Sequence, residues 1–86
     1  MAASATEFLA RGLEANQATE LAAQINGAPE TPSAKRLIGA GFSVPLANEL
    51  ARQMVAGTGN TSKLMGLGVH PLLASKIAAE ITEAGA

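Results

Sequence analysis

The stretch LIGAGF at residues 37–42 occurs in two further versions along the chain. They are FLARGL at residues 8–13 and LMGLGV at residues 64–69. The fifth residue of each version is a glycine: Gly12, Gly41 and Gly68. These glycines are 29 and 27 residues apart, a spacing close to that of short helical-hairpin repeats. The sequence therefore contains one unit that is repeated three times.

Apolar residues downstream of each glycine follow the spacing of a helix. Positions 6, 9, 10 and 13 after the glycine hold Ala18, Leu21, Ala22 and Ile25; Ala47, Leu50, Ala51 and Met54; and Ala74, Ile77, Ala78 and Ile81. Offsets of i, i+3, i+4 and i+7 define one face of an α-helix, whereas one face of a strand repeats every two residues. Each unit therefore contains an amphipathic helix. Its opposite face should be solvated, and it carries Glu20, Gln24, Glu49, Gln53 and Glu80.

A shorter helix of about two turns is predicted before each glycine. Its N-cap is Ser4, Ser33 or Asn60, and Ser4 with Glu7 fits a capping box. The glycine can then adopt the left-handed conformation that ends a helix. The next residue turns inward as an apolar plug: Leu13, Phe42 or Val69.

The long helices of the second and third units have clear start signals. Pro45 and Pro71 suit a first helical turn, because proline lacks an N–H that would have no helical partner there. Ser43 and His70 are then the expected N-caps. Helix-breaking residues at 26–32 and 57–60 separate the units.

The predicted fold is all-α, with about six short helices in three helix-turn-helix hairpins. We expect a single domain over residues 1–86, with repeat units at approximately 4–27, 33–57 and 60–84. The hairpins could close into a small bundle or stack as an array, and the sequence leaves both open. Leu, Ile, Val and Phe supply only 19 residues, which predicts a thin core.

Composition excludes several classes of protein. The chain has no cysteine, so disulfides and thiolate zinc sites are excluded. Its formal charge of −1 and its lack of a Lys/Arg cluster argue against nucleic-acid binding. No apolar segment approaches the ~20 residues that a membrane helix needs, and no stretch near Met1 resembles a signal peptide.

No residues in the sequence form a recognisable catalytic, cofactor-binding or metal-binding set, so an enzyme is not expected. The glycine pairs near Gly41 and Gly68 lack the preceding strand that a phosphate-binding loop requires. His70 is the only histidine, and its place before Pro71 favours a cap. Phe42 is expected to be a core plug, with an exposed anchor as the alternative. The candidate interaction residues are Phe42, Val69 and His70.

Residues 37–42, followed by Ala47 and Leu50, resemble the ubiquitin-associated domain. That family carries Met-Gly-Phe in its first loop, before a helix that contains alanine. The resemblance implies a small helical adaptor in the cytoplasm, with a hairpin groove that binds a peptide or a helix. This function requires an exposed Phe42 or Val69.

Residues 63–74, continued by residues 77–81, resemble segments of small Ala/Gly-rich virion proteins of tailed bacteriophages. The resemblance implies a non-enzymatic decoration, cement or head-fibre protein that its apolar helix faces fix to the capsid. It implies the major capsid protein or other virion proteins as partners, possible homo-oligomers, and assembly into the virion in the bacterial host cytoplasm. Nucleic acid and membrane are not expected as partners. This is the favoured function, and the adaptor is the alternative.

Overall fold

A computed structural model describes residues 3–27 and 33–85, and these residues form six helices. In chain order the helices are α1 (Ala5–Ala10), α2 (Ala15–Asn26), α3 (Ala34–Ala40), α4 (Val44–Ala56), α5 (Thr61–Gly66) and α6 (Pro71–Gly85). The described residues contain no strand. The prediction of an all-α fold built from short–long helix hairpins is confirmed. Residues 28–32 of the predicted linker lie outside the described residues.

The same turn joins the two helices of every hairpin. Each of the three aligned glycines has a positive φ, of 117°, 115° and 99° in chain order. The glycine N–H donates to the carbonyl three residues earlier at 3.1, 3.0 and 3.0 Å. The next N–H donates to the carbonyl five residues earlier, at 3.1 Å in all three units. These two bonds form the Schellman motif, which satisfies carbonyls at a helix end.

The core repeats with the same period as the sequence. The residue four positions before each glycine is fully buried in its short helix: Phe8, Leu37 and Leu64. The predicted apolar face of the long helices is buried in all three units, except that Ala51 is only partly covered. The spacing of i, i+3, i+4 and i+7 therefore identified the inward face correctly.

The predicted helix caps are confirmed in part. The side chains of Asn60, Ser43 and His70 accept hydrogen bonds from nearby backbone N–H groups at 3.1, 3.4 and 3.2 Å. Ser4 and Ser33 occupy N-cap positions, but their side chains make no cap bond. The predicted Ser4–Glu7 capping box is wrong, because the Glu7 carboxylate pairs with Lys76 Nζ at 2.6 Å.

The three hairpins close into a bundle and do not form an open array. The long helix of each unit packs on the short helix of the next: α2 on α3, α4 on α5, and α6 on α1. We call these contacts the first, second and third seams. The principal extents of 25, 24 and 23 Å are nearly equal. The contacts between successive units therefore form a closed cycle.

A glutamine closes each of the first two seams with the same hydrogen bonds. Gln24 Nε2 donates to the Ser33 carbonyl at 3.2 Å, and the Ser33 N–H donates to Gln24 Oε1 at 2.7 Å. Gln53 makes the same pair of bonds with Asn60, at 3.4 and 2.9 Å. Each amide thus satisfies the exposed backbone at the start of the following short helix.

The third seam has a different chemistry at the same positions. Glu80 stands where the other units have glutamine, and Lys76 stands where they have Glu20 and Glu49. Lys76 Nζ lies 2.8 Å from Glu80 Oε2 and 2.6 Å from Glu7 Oε1. The bond to Glu7, followed by the bond to Glu80, raises the pKa of Lys76.

The prediction that this side of the long helices is solvated is wrong for four residues. Gln24, Glu49, Gln53 and Glu80 are all buried. The reason is the closed arrangement, since the next short helix packs over this side of each long helix. The apolar pattern of one helix does not reveal that a second unit covers its polar side.

Candidate functional site

The three turns meet at a cleft of about 370 Å³. Each unit contributes four of the residues that line it: Arg11, Gly12, Leu13 and Gln17; Gly41, Phe42, Ser43 and Leu46; and Gly68, Val69, His70 and Leu73. The three aligned glycines are all in this set. The cleft therefore lies at the end of the bundle where the turns of all three units meet.

Apolar side chains form much of the cleft lining. Phe42 and Val69 are only 5% and 8% exposed, so both belong mainly to the core. Leu13 and Leu46 are half-buried and pack against that core. Phe42 is therefore the core plug that the sequence favoured. The adaptor hypothesis required Phe42 or Val69 to be exposed, and the structure does not provide this.

The polar side chains of the cleft both donate and accept hydrogen bonds. Gln17 Nε2 donates to the Gly41 carbonyl at 3.1 Å, which ties the first turn to the second. Its Oε1 accepts from the Glu14 N–H at 3.2 Å. His70 Nδ1 accepts from the Leu72 N–H, so Nε2 carries the proton when the imidazole is neutral. Arg11 is exposed beside them.

One apolar position is exposed in every unit. It lies three residues before the glycine and holds Leu9, Ile38 and Met65, which are 45%, 39% and 44% exposed. The backbone carbonyl of each residue accepts the N–H of the glycine in its own turn, so each residue belongs to the last turn of helix before a glycine that lines the cleft. We call these three residues, together with the cleft, the turn face.

The structure brings together the three candidate interaction residues that the sequence suggested. Phe42, Val69 and His70 all line the cleft, although only His70 is exposed. The sequence analysis missed Leu9, Ile38 and Met65. A usable signal was present, because adjacent residues on a helix point about 100° apart. Each of the three follows a fully buried residue, so it cannot share that residue's inward direction.

Within residues 3–27 and 33–85, no three His, Cys, Asp or Glu side chains are grouped to hold a metal ion. None of the described helices is both long and apolar enough to cross a membrane. Comparisons with protein-family models, with curated proteins and with solved structures find no match. A function for this chain has to be inferred from its own residues.

Proposed function

We propose that this protein is a non-enzymatic structural component of a bacteriophage virion. It binds the capsid surface as a decoration, cement or head-fibre protein. Its partner is the major capsid protein or another virion protein, and the complex assembles in the cytoplasm of the bacterial host. The turn face is the surface that makes the contact.

The three-fold repetition of the turn face is the observation that carries this proposal. Leu9, Ile38 and Met65 give each hairpin one exposed apolar side chain, on the short helix that leads into the turn bordering the cleft. Identical subunits of a closed shell meet around three-fold and local three-fold axes, where each subunit offers the same surface. One chain with three similar hairpins can therefore contact three copies of one subunit at once.

The location of other exposed apolar residues also supports the proposal. The segment that resembles phage virion proteins, residues 63–81, covers most of α5 and α6. It contains three exposed apolar side chains: Met65, Leu67 and Leu72. These residues lie in the segment that carries the resemblance, so they are candidates for the contact with the capsid.

Mass spectrometry of purified virions tests the proposal. Particles produced by a strain that encodes the chain are purified on a density gradient, and their proteins are quantified. We expect the chain to co-purify with capsids at about one copy for every three capsid subunits that surround an occupied axis. Recovery of the chain only in the soluble fraction, with none on the particles, would contradict the proposal.

A further inference from the structure

The side chains that line the cleft offer hydrogen-bond donors and one positive charge. Arg11 contributes a guanidinium and His70 contributes its Nε2 proton in the neutral tautomer. The Ser43 hydroxyl oxygen accepts from the Leu46 N–H at 3.4 Å, which leaves its own proton available to a ligand.

No carboxylate lines the cleft within the described part of the chain. Likewise, no ion pair to Arg11 is formed among residues 3–27 and 33–85. A guanidinium binds carboxylates well because its planar N–H groups match the two carboxylate oxygens. The charge of the cleft is therefore complementary to a carboxylate.

The size and surroundings of the cleft limit what accompanies that carboxylate. About 370 Å³ is at the low end for ligand sites, which suits one or two residues. Leu13 and Leu46, which are half-buried, offer an apolar surface to a side chain. A volume this small favours a chain end over an extended segment, which would need a longer groove.

We propose that the cleft binds the C-terminal residue of a partner protein, with its apolar side chain against Leu13 and Leu46 and its carboxylate on Arg11 and His70. This inference rests on the proposed function in one respect, namely that the partner is a virion protein. It adds the chemistry by which the turn face recognises that partner. The inserted end would come from one of the partner copies that the turn face contacts.

The test uses N-acetyl-L-leucine, which carries the side chain and the carboxylate of a C-terminal leucine. The probe is titrated into the ¹⁵N-labelled protein and followed by amide NMR. We expect the signals of Gly12, Gly41 and Gly68 to shift, with a dissociation constant on the order of millimolar for so small a ligand. N-acetyl-L-leucinamide, which lacks the carboxylate, should bind roughly tenfold more weakly.

Two variants locate the carboxylate contact. Arg11→Gln should weaken binding of N-acetyl-L-leucine by roughly five- to tenfold. Lys35→Gln removes the same charge from an exposed site that does not line the cleft, and it should leave binding unchanged. Equal effects of the two variants would overturn the proposal. Equal binding of the acid and the amide would also overturn it, as would equal binding of N-acetyl-L-aspartate α-amide, which has no apolar side chain.

The two proposals fail in distinguishable ways. If the chain is present on virions but N-acetyl-L-leucine leaves the three glycine signals unmoved, the cleft proposal is wrong and the virion proposal stands. If the glycine signals shift as expected but the chain is missing from particles, the cleft binds a C-terminal residue and the virion partner is wrong.

Discussion

Glu80 and Gln53 occupy the same position of their repeat units, but only Gln53 satisfies both of its polar side-chain atoms. Gln53 Oε1 accepts from the Asn60 N–H, and its Nε2 donates to Glu49 at 2.8 Å. Glu80 Oε2 pairs with Lys76, while Oε1 is buried without a hydrogen-bond partner among the described residues. The third seam is therefore less completely bonded than the second.

Glu80→Gln is expected to stabilise the fold. Glutamine replaces the buried oxygen that has no partner by an amide donor, and its remaining oxygen can still accept from Lys76. Removal of a buried unsatisfied oxygen gives a gain of about 1 kcal/mol. For a domain of this size, that gain raises the melting temperature by roughly 4–8 °C, measured by circular dichroism.

The reverse substitution in the second unit is the matched control. Gln53→Glu puts a buried carboxylate next to buried Glu49, so we expect a loss of about 2–3 kcal/mol. Adding Glu49→Lys copies the pair from the third unit and should restore part of that loss. If Glu80→Gln destabilises the protein as much as Gln53→Glu does, the unpartnered oxygen of Glu80 does not weaken the third seam relative to the second.

Stability is expected to fall at alkaline pH through Lys76. Its pKa is raised in the folded state by Glu7 and then by Glu80. The stabilisation is therefore complete below the unfolded pKa of about 10.4 and is lost as pH rises through the higher folded pKa. The chain contains no tyrosine and no cysteine, so lysines dominate the titration in this range.

Thermal unfolding between pH 8 and pH 11.5 checks this expectation. Lys76→Gln should lower the melting temperature at pH 8, and its difference from the parent protein should shrink above about pH 10.5. Lys35→Gln, at an exposed position, provides the control. A difference for Lys76→Gln that stays constant across the range would show that the lysine acts through packing and not through its charge.

Close packing of Gly59 predicts a large effect of a single methyl group. A Cβ atom at Gly59 would overlap the backbone of Ala78 in α6. Gly59→Ala should therefore destabilise the fold by about 1–3 kcal/mol, measured by urea unfolding. Gly39 is the matched control, because it lies inside α3 and a Cβ atom there would extend into open space. Gly39→Ala should stabilise by about 0.5–1 kcal/mol.

The Gly59→Ala variant also tests whether equivalent positions of the repeat units are packed equally closely. Ala3 holds the equivalent position of the first unit and is buried there. If Gly59→Ala proves neutral, the third unit tolerates the same residue as the first, and α6 lies farther from Gly59 than the structure shows. If Gly59→Ala lowers the free energy of unfolding as expected, the third unit is packed more closely at this position than the first unit, which carries alanine there.

The repeated sequence predicted the hairpins because local chemistry determines them. Glycine at a positive φ ends the short helix, and the i, i+3, i+4, i+7 face defines the long one. Closure of the bundle depends instead on contacts between units, which no single periodic pattern reports. For this reason the pattern of one helix predicts a solvated position for Gln24, Gln53 and Glu80, although all three are buried between units.

The candidate site was predictable to a similar extent. Phe42, Val69 and His70 follow directly from their places next to the glycine turns, and the structure brings all three to one cleft. Arg11 and Gln17 carry no repeated pattern, since the other units have Ala40 or Leu67 and Leu46 or Leu73 at those positions. Their membership of the cleft depends on the three-dimensional meeting of the turns.

Removal of the Phe42 ring is expected to unfold the protein or nearly so. Phe42 is one of only two aromatic residues, and it is buried in the core cluster. Phe42→Ala should cost about 3–5 kcal/mol, measured by chemical denaturation. Phe42→Leu keeps most of the volume and should cost less than about 1.5 kcal/mol. An unchanged melting temperature for Phe42→Ala would contradict its place in the core.

The three exposed apolar residues of the turn face are expected to contribute equally to capsid binding, although they are far apart in sequence. Leu9→Ser, Ile38→Ser and Met65→Ser should each weaken binding to capsids by a similar factor, because in the proposed complex each residue would contact one copy of the same subunit. Their melting temperatures should change little, since about two-fifths or more of each side chain is exposed. Val55→Ser removes a more exposed apolar residue outside the turn face and should leave binding unchanged. Co-sedimentation with purified capsids measures the effect, and loss of binding in only one of the three variants would show that a single hairpin makes the contact.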